Sequence, residues 1–201
     1  MRVLVTGGAG YIGSHTVAKL RARGDQVVVF DSLEHGHRAA IGDTPLVVGN
    51  TADKALVRSV LREHKLEAVI HFAAYKAAGE SVGNPGKYFD NNVHGSLQLL
   101  EAMREEGLRI LVFSSTAAVY GNPSVLPVVE SADLRPESPY GESKLAVERM
   151  LPWYDGAFQL RSVALRYFNA AGAALDGSNG EDPRAAQNLI PLVMKAATGR
   201  A

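Results

Sequence analysis

Cysteine is absent from the 201 residues. That excludes disulfides and thiolate metal sites, and it tilts the expected compartment toward the cytoplasm. An excess of one charge is also missing: 21 Lys and Arg balance 21 Asp and Glu. With no basic field, neither nucleic acid nor an anionic membrane surface is an expected partner. No run approaches the ~18 apolar residues of a membrane span. The N-terminus, Met1-Arg2-Val3-Leu4-Val5, enters an apolar strand at once, so no signal peptide is expected. Repeats and low-complexity tracts are lacking too. What remains is an ordinary globular balance, 46% hydrophobic and 21% charged.

Short apolar runs alternate with helical patterns along the chain. Strands are expected at 2–6, 26–31, 45–48, 68–73, 109–115 and 162–168. Helices are expected at 11–23, 53–64, 85–106 and 138–151. The strands are continuous apolar runs rather than alternating ones, as in a sheet covered on both faces. The alternation of strand and helix predicts an α/β fold with a doubly wound parallel sheet. One domain over 1–169 is expected, with 170–201 beginning a second lobe. The longest loop-like stretch is Ala170–Gln187.

Between the first strand and the first helix lies TGGAGYIG. Gly8, Gly10 and Gly13 satisfy GxGxxG, and Gly7, Gly10 and Gly13 satisfy GxxGxxG. The pattern sits after a strand and opens a helix, which is the context a dinucleotide site requires. Glycines there allow backbone to approach a pyrophosphate, and the helix N-terminus offers it free N–H groups. Asp31 follows Gly13 by eighteen residues, near the ~20 expected of a ribose-binding acid. A carboxylate there accepts from the 2′-OH of NAD and repels a 2′-phosphate.

SPYGESKLAVERM, Ser138 to Met150, places a phenol and an ammonium one helical turn apart. Ser138 suits an N-cap and Pro139 suits the first helical position. Tyr140 and Lys144 then share a face. An isolated tyrosine titrates near 10. The neighbouring ammonium, the helix N-terminus and a nicotinamide cation are each expected to lower that value. Upstream, FSSTAAVYG closes the fifth strand with Ser114, Ser115 and Thr116. Ligands of open α/β sheets gather at such strand ends. Thr116 is the expected substrate-facing hydroxyl; Ser114 and Ser115 could equally cap the turn. His71 is read as a core histidine, and His35 and His37 as surface residues; no metal site is expected.

Taken with VIHFAAYKAAGESV, DNNVHGSLQLLEAM and LRYFNAAGA, these segments resemble the extended short-chain dehydrogenases/reductases. Within that family the chain is most similar to the nucleotide-sugar 4-epimerases. The resemblance implies a Rossmann fold and NAD as cofactor. It also implies epimerisation of a UDP-hexose at C4 through a 4-keto intermediate. Tyr11 and Ile12 would lie at the pyrophosphate, and Asp31, Ser32 and Leu33 at the adenosine ribose. Asn50, where the family usually has an acid, and Thr51 would lie toward adenine. Phe72, Ala73, Ala74, Lys76, Asn91 and Ser114 would line the cofactor, with Tyr167 and Phe168 packing there. Tyr140 would be the base, with Lys144 its partner and Thr116 the catalytic hydroxyl. Lys76, Thr116, Tyr140, Asn169, Asn188 and Leu189 would meet the sugar nucleotide.

A homodimer through 85–106 and 138–151 is implied as well. The family's chains run well past QNLIPLVMKAATGRA, so most of the substrate lobe is expected to be missing. Two other readings stay open. One is a nucleotide-sugar dehydratase or decarboxylase. Ala117 and Ala118 argue against the dehydratase, since neither can serve in an acid–base pair after Thr116. The other is a catalytically silent NAD-binding module.

Overall fold

The computed structural model describes residues 1–184 and 188–199. Six strands form one sheet: β1 (Arg2–Thr6), β2 (Gln26–Asp31), β3 (Leu46–Val48), β4 (Ala68–His71), β5 (Ile110–Ser114) and β6 (Arg161–Leu165). All pair in parallel, in the order β3-β2-β1-β4-β5-β6. That order reverses direction between β1 and β4, and the crevice at such a reversal is where doubly wound sheets take ligands. The helices are α1 (Tyr11–Ala22), α2 (Lys54–Glu63), α3 (Ala78–Gly83), α4 (Pro85–Tyr88), α5 (Gly95–Glu105), α6 (Pro139–Phe158) and α7 (Leu189–Ala197).

Successive strand residues point to opposite faces, so the apolar runs feed two cores. Leu4, Phe30, Val69, Leu111 and Phe113 pack with α2, α5 and α6 residues such as Val57, Leu99 and Val147. Val3, Val5, Val27 and Val29 pack with Val17 and Leu20 of α1. The sheet is thus covered on both sides at its centre, as the unbroken runs require.

The departures are local. β6 stops at Leu165, three residues before its expected end, because Arg166 and Tyr167 turn to side-chain partners described below. Its outer face is open: Val163 is 56% and Leu165 43% exposed. The expected 85–106 helix is α4 and α5 joined by a π-helical segment, Phe89–His94. The short α3 before it has no counterpart among the expected helices. α6 runs seven residues past Leu151, carrying Pro152 inside it, and ends at Gln159 in the left-handed conformation. The expected loop after 169 is irregular as far as Arg184, and its last three residues lie outside the described ones. None of the α7 residues is buried; Leu189, Ile190, Leu192, Val193 and Met194 are all exposed.

Candidate active site

The glycine loop forms a cradle that side chains would fill. Gly7 has φ +68°, and a Cβ on it would lie 2.5 Å from the Ala73 nitrogen. A Cβ on Gly13 would lie 2.2 Å from the Gly7 carbonyl oxygen. Gly10 caps α1 with no side-chain hydrogen bond, and no acid stands in the first turn. The positive end of the helix is therefore free for an anion. This donor set fits the pyrophosphate of a dinucleotide.

At the carboxyl end of β2, Asp31 is buried. Its Oδ2 accepts from the Ala9 N–H at 2.9 Å and its Oδ1 from the Leu33 N–H at 2.8 Å. The acid thus pins the glycine loop and a turn in which Leu33 has φ +60°. Each oxygen keeps a lone pair for a ribose hydroxyl. Ser32 is exposed beside it. Asn50 is exposed too, its Oδ1 accepting from the Ala52 N–H at 2.9 Å, while Thr51 is buried. Asn50 therefore caps its own turn and retains one acceptor position.

After β4, Phe72, Ala73 and Ala74 are half-buried against the glycine loop. Lys76 is exposed, its Nζ 3.5 Å from Glu181, which also accepts from the Asn188 Nδ2 at 3.5 Å. Asn91 donates to Asn92 Oδ1 at 3.0 Å. Asn92 itself is buried. It accepts from the Tyr75 N–H at 2.9 Å and donates to the Tyr75 carbonyl at 3.1 Å and the Ser143 hydroxyl at 3.0 Å. The π-helical segment carries this asparagine, which ties the loop after β4 to α6.

The β5 end meets α6 and β6. Ser138 caps α6, accepting from the Gly141 N–H at 3.1 Å. Tyr140 is half-buried, with its phenol beside the Thr116 hydroxyl. Lys144 is buried; its Nζ donates to the Ser114 carbonyl at 2.9 Å and lies 4.9 Å above the Phe113 ring. Ser114 and Tyr167 share a short hydroxyl–hydroxyl hydrogen bond. Phe168, Asn169 and Leu189 are exposed. The Thr116, Tyr140, Lys144, Ser114 and Tyr167 positions are thus brought together. The three expected at the outer rim are not.

The protonation of the pair differs from the sequence expectation. Burial raises the Tyr140 phenol above its ordinary value; the Thr116 hydroxyl pulls it down and Tyr167 pushes it up. Burial lowers Lys144 to about 7. The ammonium donates to the Ser114 carbonyl, and its burial weakens the charge it can offer the phenol. The protein's own groups therefore do not make Tyr140 acidic.

His71 is a satisfied core residue. Its Nδ1 bonds Thr6 Oγ1 at 2.6 Å, its Nε2 bonds Ser96 Oγ at 2.9 Å, and burial holds it neutral with a pKa of about 3. His37 is exposed and bonds Asp182 at 2.9 Å. Among the described residues no group of three His, Asp or Glu could hold a metal. No described helix is long and apolar enough to cross a membrane.

Several contacts had no counterpart in the sequence reading. Asn92 and Ser143 are one pair. Glu148 and Arg166 form another, with Arg166 Nε donating to Oε1 at 3.0 Å and Nη2 to Oε2 at 2.6 Å. Glu148 lies four residues beyond Lys144, so the Tyr140/Lys144 stripe already pointed to it. The segment after β6 folds back on α1: the Tyr11 hydroxyl donates to the Gly172 carbonyl at 2.6 Å, and Ser14 bonds Asn179.

A parallel sheet of this order, a glycine cradle with an acid after β2, and a Tyr/Lys pair on α6 define a nicotinamide-dependent enzyme class. Residues 3–200 match the model of the NAD dependent epimerase/dehydratase family, and the chain belongs to that family. It is 48% identical over 200 residues to a UDP-glucose 4-epimerase of Halalkalibacterium halodurans, covering 100% of this chain and 60% of that protein. It superposes with TM-score 0.97 and 46% identity on a Brucella ovis UDP-glucose 4-epimerase in complex with NAD, covering 100% of this chain and 62% of that one. A Bifidobacterium longum UDP-glucose 4-epimerase in complex with NAD+ and UDP gives TM-score 0.93 at 38% identity, with 100% and 63% covered. The chain thus spans about 60% of the length of the relatives it matches. The expectations of a Rossmann fold, of NAD as the family's cofactor and of resemblance to the 4-epimerases are borne out.

Proposed function

We propose that this chain carries the cofactor site and proton-transfer groups of a UDP-hexose 4-epimerase, interconverting UDP-glucose and UDP-galactose. The observation that carries the reading is the cluster of Thr116, Tyr140 and Lys144 at the β5 end, beside a glycine cradle fitted to NAD. Bound there, NAD supplies a reversible hydride acceptor for C4 of the sugar. Tyr140 takes the 4-OH proton, directly or through Thr116, and returns it after the 4-keto sugar has turned over. Lys144 holds the nicotinamide ribose. A positive nicotinamide would favour the phenolate further, against the burial that opposes it. Glycine-loop backbone groups with Tyr11 and Ile12 bind the pyrophosphate, and Asp31 the ribose. Ser32, Leu33, Asn50 and Thr51 bound the adenosine end. Phe72, Ala73, Ala74, Lys76, Asn91, Ser114, Tyr167 and Phe168 form the cofactor wall. Lys76, Asn169, Asn188 and Leu189 reach the sugar nucleotide.

Residues 1–169 form the cofactor domain in this reading, and 170–201 belong to the substrate side. Ala117 and Ala118 disfavour a dehydratase, as neither can move a proton. Two copies are proposed to pair through α5 and α6, where Trp153 is 78% exposed, in the cytoplasm. The deciding assay is conversion of UDP-galactose to UDP-glucose with and without added NAD+. Conversion that depends on NAD+ supports the reading, and none under either condition favours a silent NAD-binding module.

The Asp31 geometry makes a separate prediction. NAD should bind more tightly than NADP, and Asp31→Ala should narrow the difference by at least about tenfold, in line with loss of a charged hydrogen bond. Because Asp31 also pins the Ala9 and Leu33 N–H groups, NAD affinity itself should fall. Calorimetric titration of both cofactors measures this, and equal affinities in the unmodified protein would contradict the ribose assignment.

A further inference from the structure

Three successive turns of α6 meet three consecutive residues at the β5 end. Tyr140 lies beside Thr116, Lys144 donates to the Ser114 carbonyl, and Glu148 accepts from the Ser115 hydroxyl. The spacing of 140, 144 and 148 places all three on one helix face. The first two contacts belong to the function proposed above; the third has no role in it.

Glu148 is not a casual surface acid. Its side chain is 8% exposed, and that of Arg166 is 22%. Arg166 Nε donates to both carboxylate oxygens at 3.0 Å, and Nη2 donates to Oε2 at 2.6 Å. The remaining Arg166 donor, Nη1, reaches the Tyr120 hydroxyl at 2.9 Å and the Glu130 carbonyl at 3.2 Å. The guanidinium also lies 5.1 Å from the Tyr120 ring centre. Arg166 thus clamps the acid, grips the far end of the turn that follows Thr116 at Tyr120, and reaches the Glu130 carbonyl beyond it. The adjacent Tyr167 adds its carbonyl, which accepts from the Ala117 N–H at 3.0 Å. Thr116 is held within this frame, its Oγ1 accepting from the Ala118 N–H at 3.1 Å.

We infer that Glu148 and Arg166 are a positioning pair which, through the buried Ser115 hydroxyl, fixes the Thr116 side chain against the Tyr140 phenol. Neither touches the reacting atoms. A surface ion pair contributes little, but a paired, mostly buried one holds geometry, and misplacing a reacting group by ~1 Å can cost on the order of 100-fold in rate. The kinetic part of this inference rests on the proposed function; the geometric part does not.

The test compares the protein with Glu148→Gln and, separately, Ser115→Ala, the latter leaving the ion pair in place. Amide hydrogen exchange at neutral pH, read residue by residue, should quicken about tenfold or more at Ala117 and Ala118. At Leu111 and Phe113 of β5 it should change less than about twofold, as expected of a local opening. With NAD+ bound and UDP-galactose added, hydride transfer read at 340 nm should slow at least about tenfold, with NAD affinity unchanged within about twofold. The two substitutions combined should cost no more than the larger alone. Unchanged exchange at Ala117 and Ala118 in both variants would overturn the inference. So would equal acceleration across β5 and α6, which would mean a structural role only. Failure of the unmodified protein to reduce NAD+ would count against the proposed function, while the exchange data would still decide the pair.

Discussion

Tyr140→Phe should reduce hydride transfer by about 1000-fold or more, within reach of what a lost acid–base group costs, while NAD affinity changes less than about threefold. The phenol is half-buried at the β5 end, beside the Thr116 hydroxyl. Its other neighbours, Tyr167 and the buried Lys144, are poor substitutes: burial raises the Tyr167 phenol, and Lys144 Nζ is engaged with the Ser114 carbonyl. Phenylalanine keeps the ring and its edge-on packing against Tyr88, whose centre lies 6.5 Å away. Only the hydroxyl is lost, so the fold and the glycine cradle should be untouched. The measurement is NAD reduction at 340 nm on mixing with UDP-galactose, beside calorimetry with NAD+ alone. Near-normal hydride transfer in the variant would remove Tyr140 from the mechanism.

Lys144→Met should stabilise the cofactor-free protein at pH 7 and abolish turnover. Burial depresses the folded-state Lys144 from 10.5 to about 7, so the unfolded chain binds more protons between those values. The stability of the unmodified protein is therefore highest above about pH 10.5 on this group's account. It falls as pH drops toward 7 and levels off below. Over that interval the ammonium's desolvation amounts to roughly 5 kcal/mol at ~1.4 kcal/mol per pH unit. Loss of the hydrogen bond to Ser114 returns part of this, leaving a net gain of about 1–3 kcal/mol at pH 7. Thermal melts at pH 7 and pH 10 should show the variant ahead at the lower pH and close to the unmodified protein at the higher. A variant less stable at pH 7 would mean that the lysine stabilises the fold. Its placement would then owe nothing to a functional demand of the kind that commonly opposes stability.

The strand runs, the glycine cradle and the Asp31 and Tyr140/Lys144 pattern were legible because each is set by local spacing. Six unbroken apolar runs sufficed for a parallel sheet, and a serine followed by proline marked the start of α6. What spacing could not reveal was the partner across space. Arg166 ended β6 early because Glu148, eighteen residues upstream, offered it a buried carboxylate. Asn92, and not the expected Asn91, is the buried amide, since nothing in DNN tells which one a π-helical segment turns inward. The phenol's shift runs opposite to the expected direction for a related reason. Sharing a helix face places Lys144 near Tyr140, but the competing acceptor was the Ser114 carbonyl on a different element. The outer face of β6 was expected to be covered, and Val163 and Leu165 are exposed there.

The most direct test of the central assignment is the 340 nm absorbance of NAD+-loaded protein on addition of excess UDP-galactose, with the Tyr140→Phe variant as control. A rise in the unmodified protein that is absent from the control is expected, showing hydride leaving the sugar with Tyr140 as the base. A flat trace together with no conversion to UDP-glucose, from protein shown by calorimetry to hold NAD+ and UDP-galactose together, would contradict it.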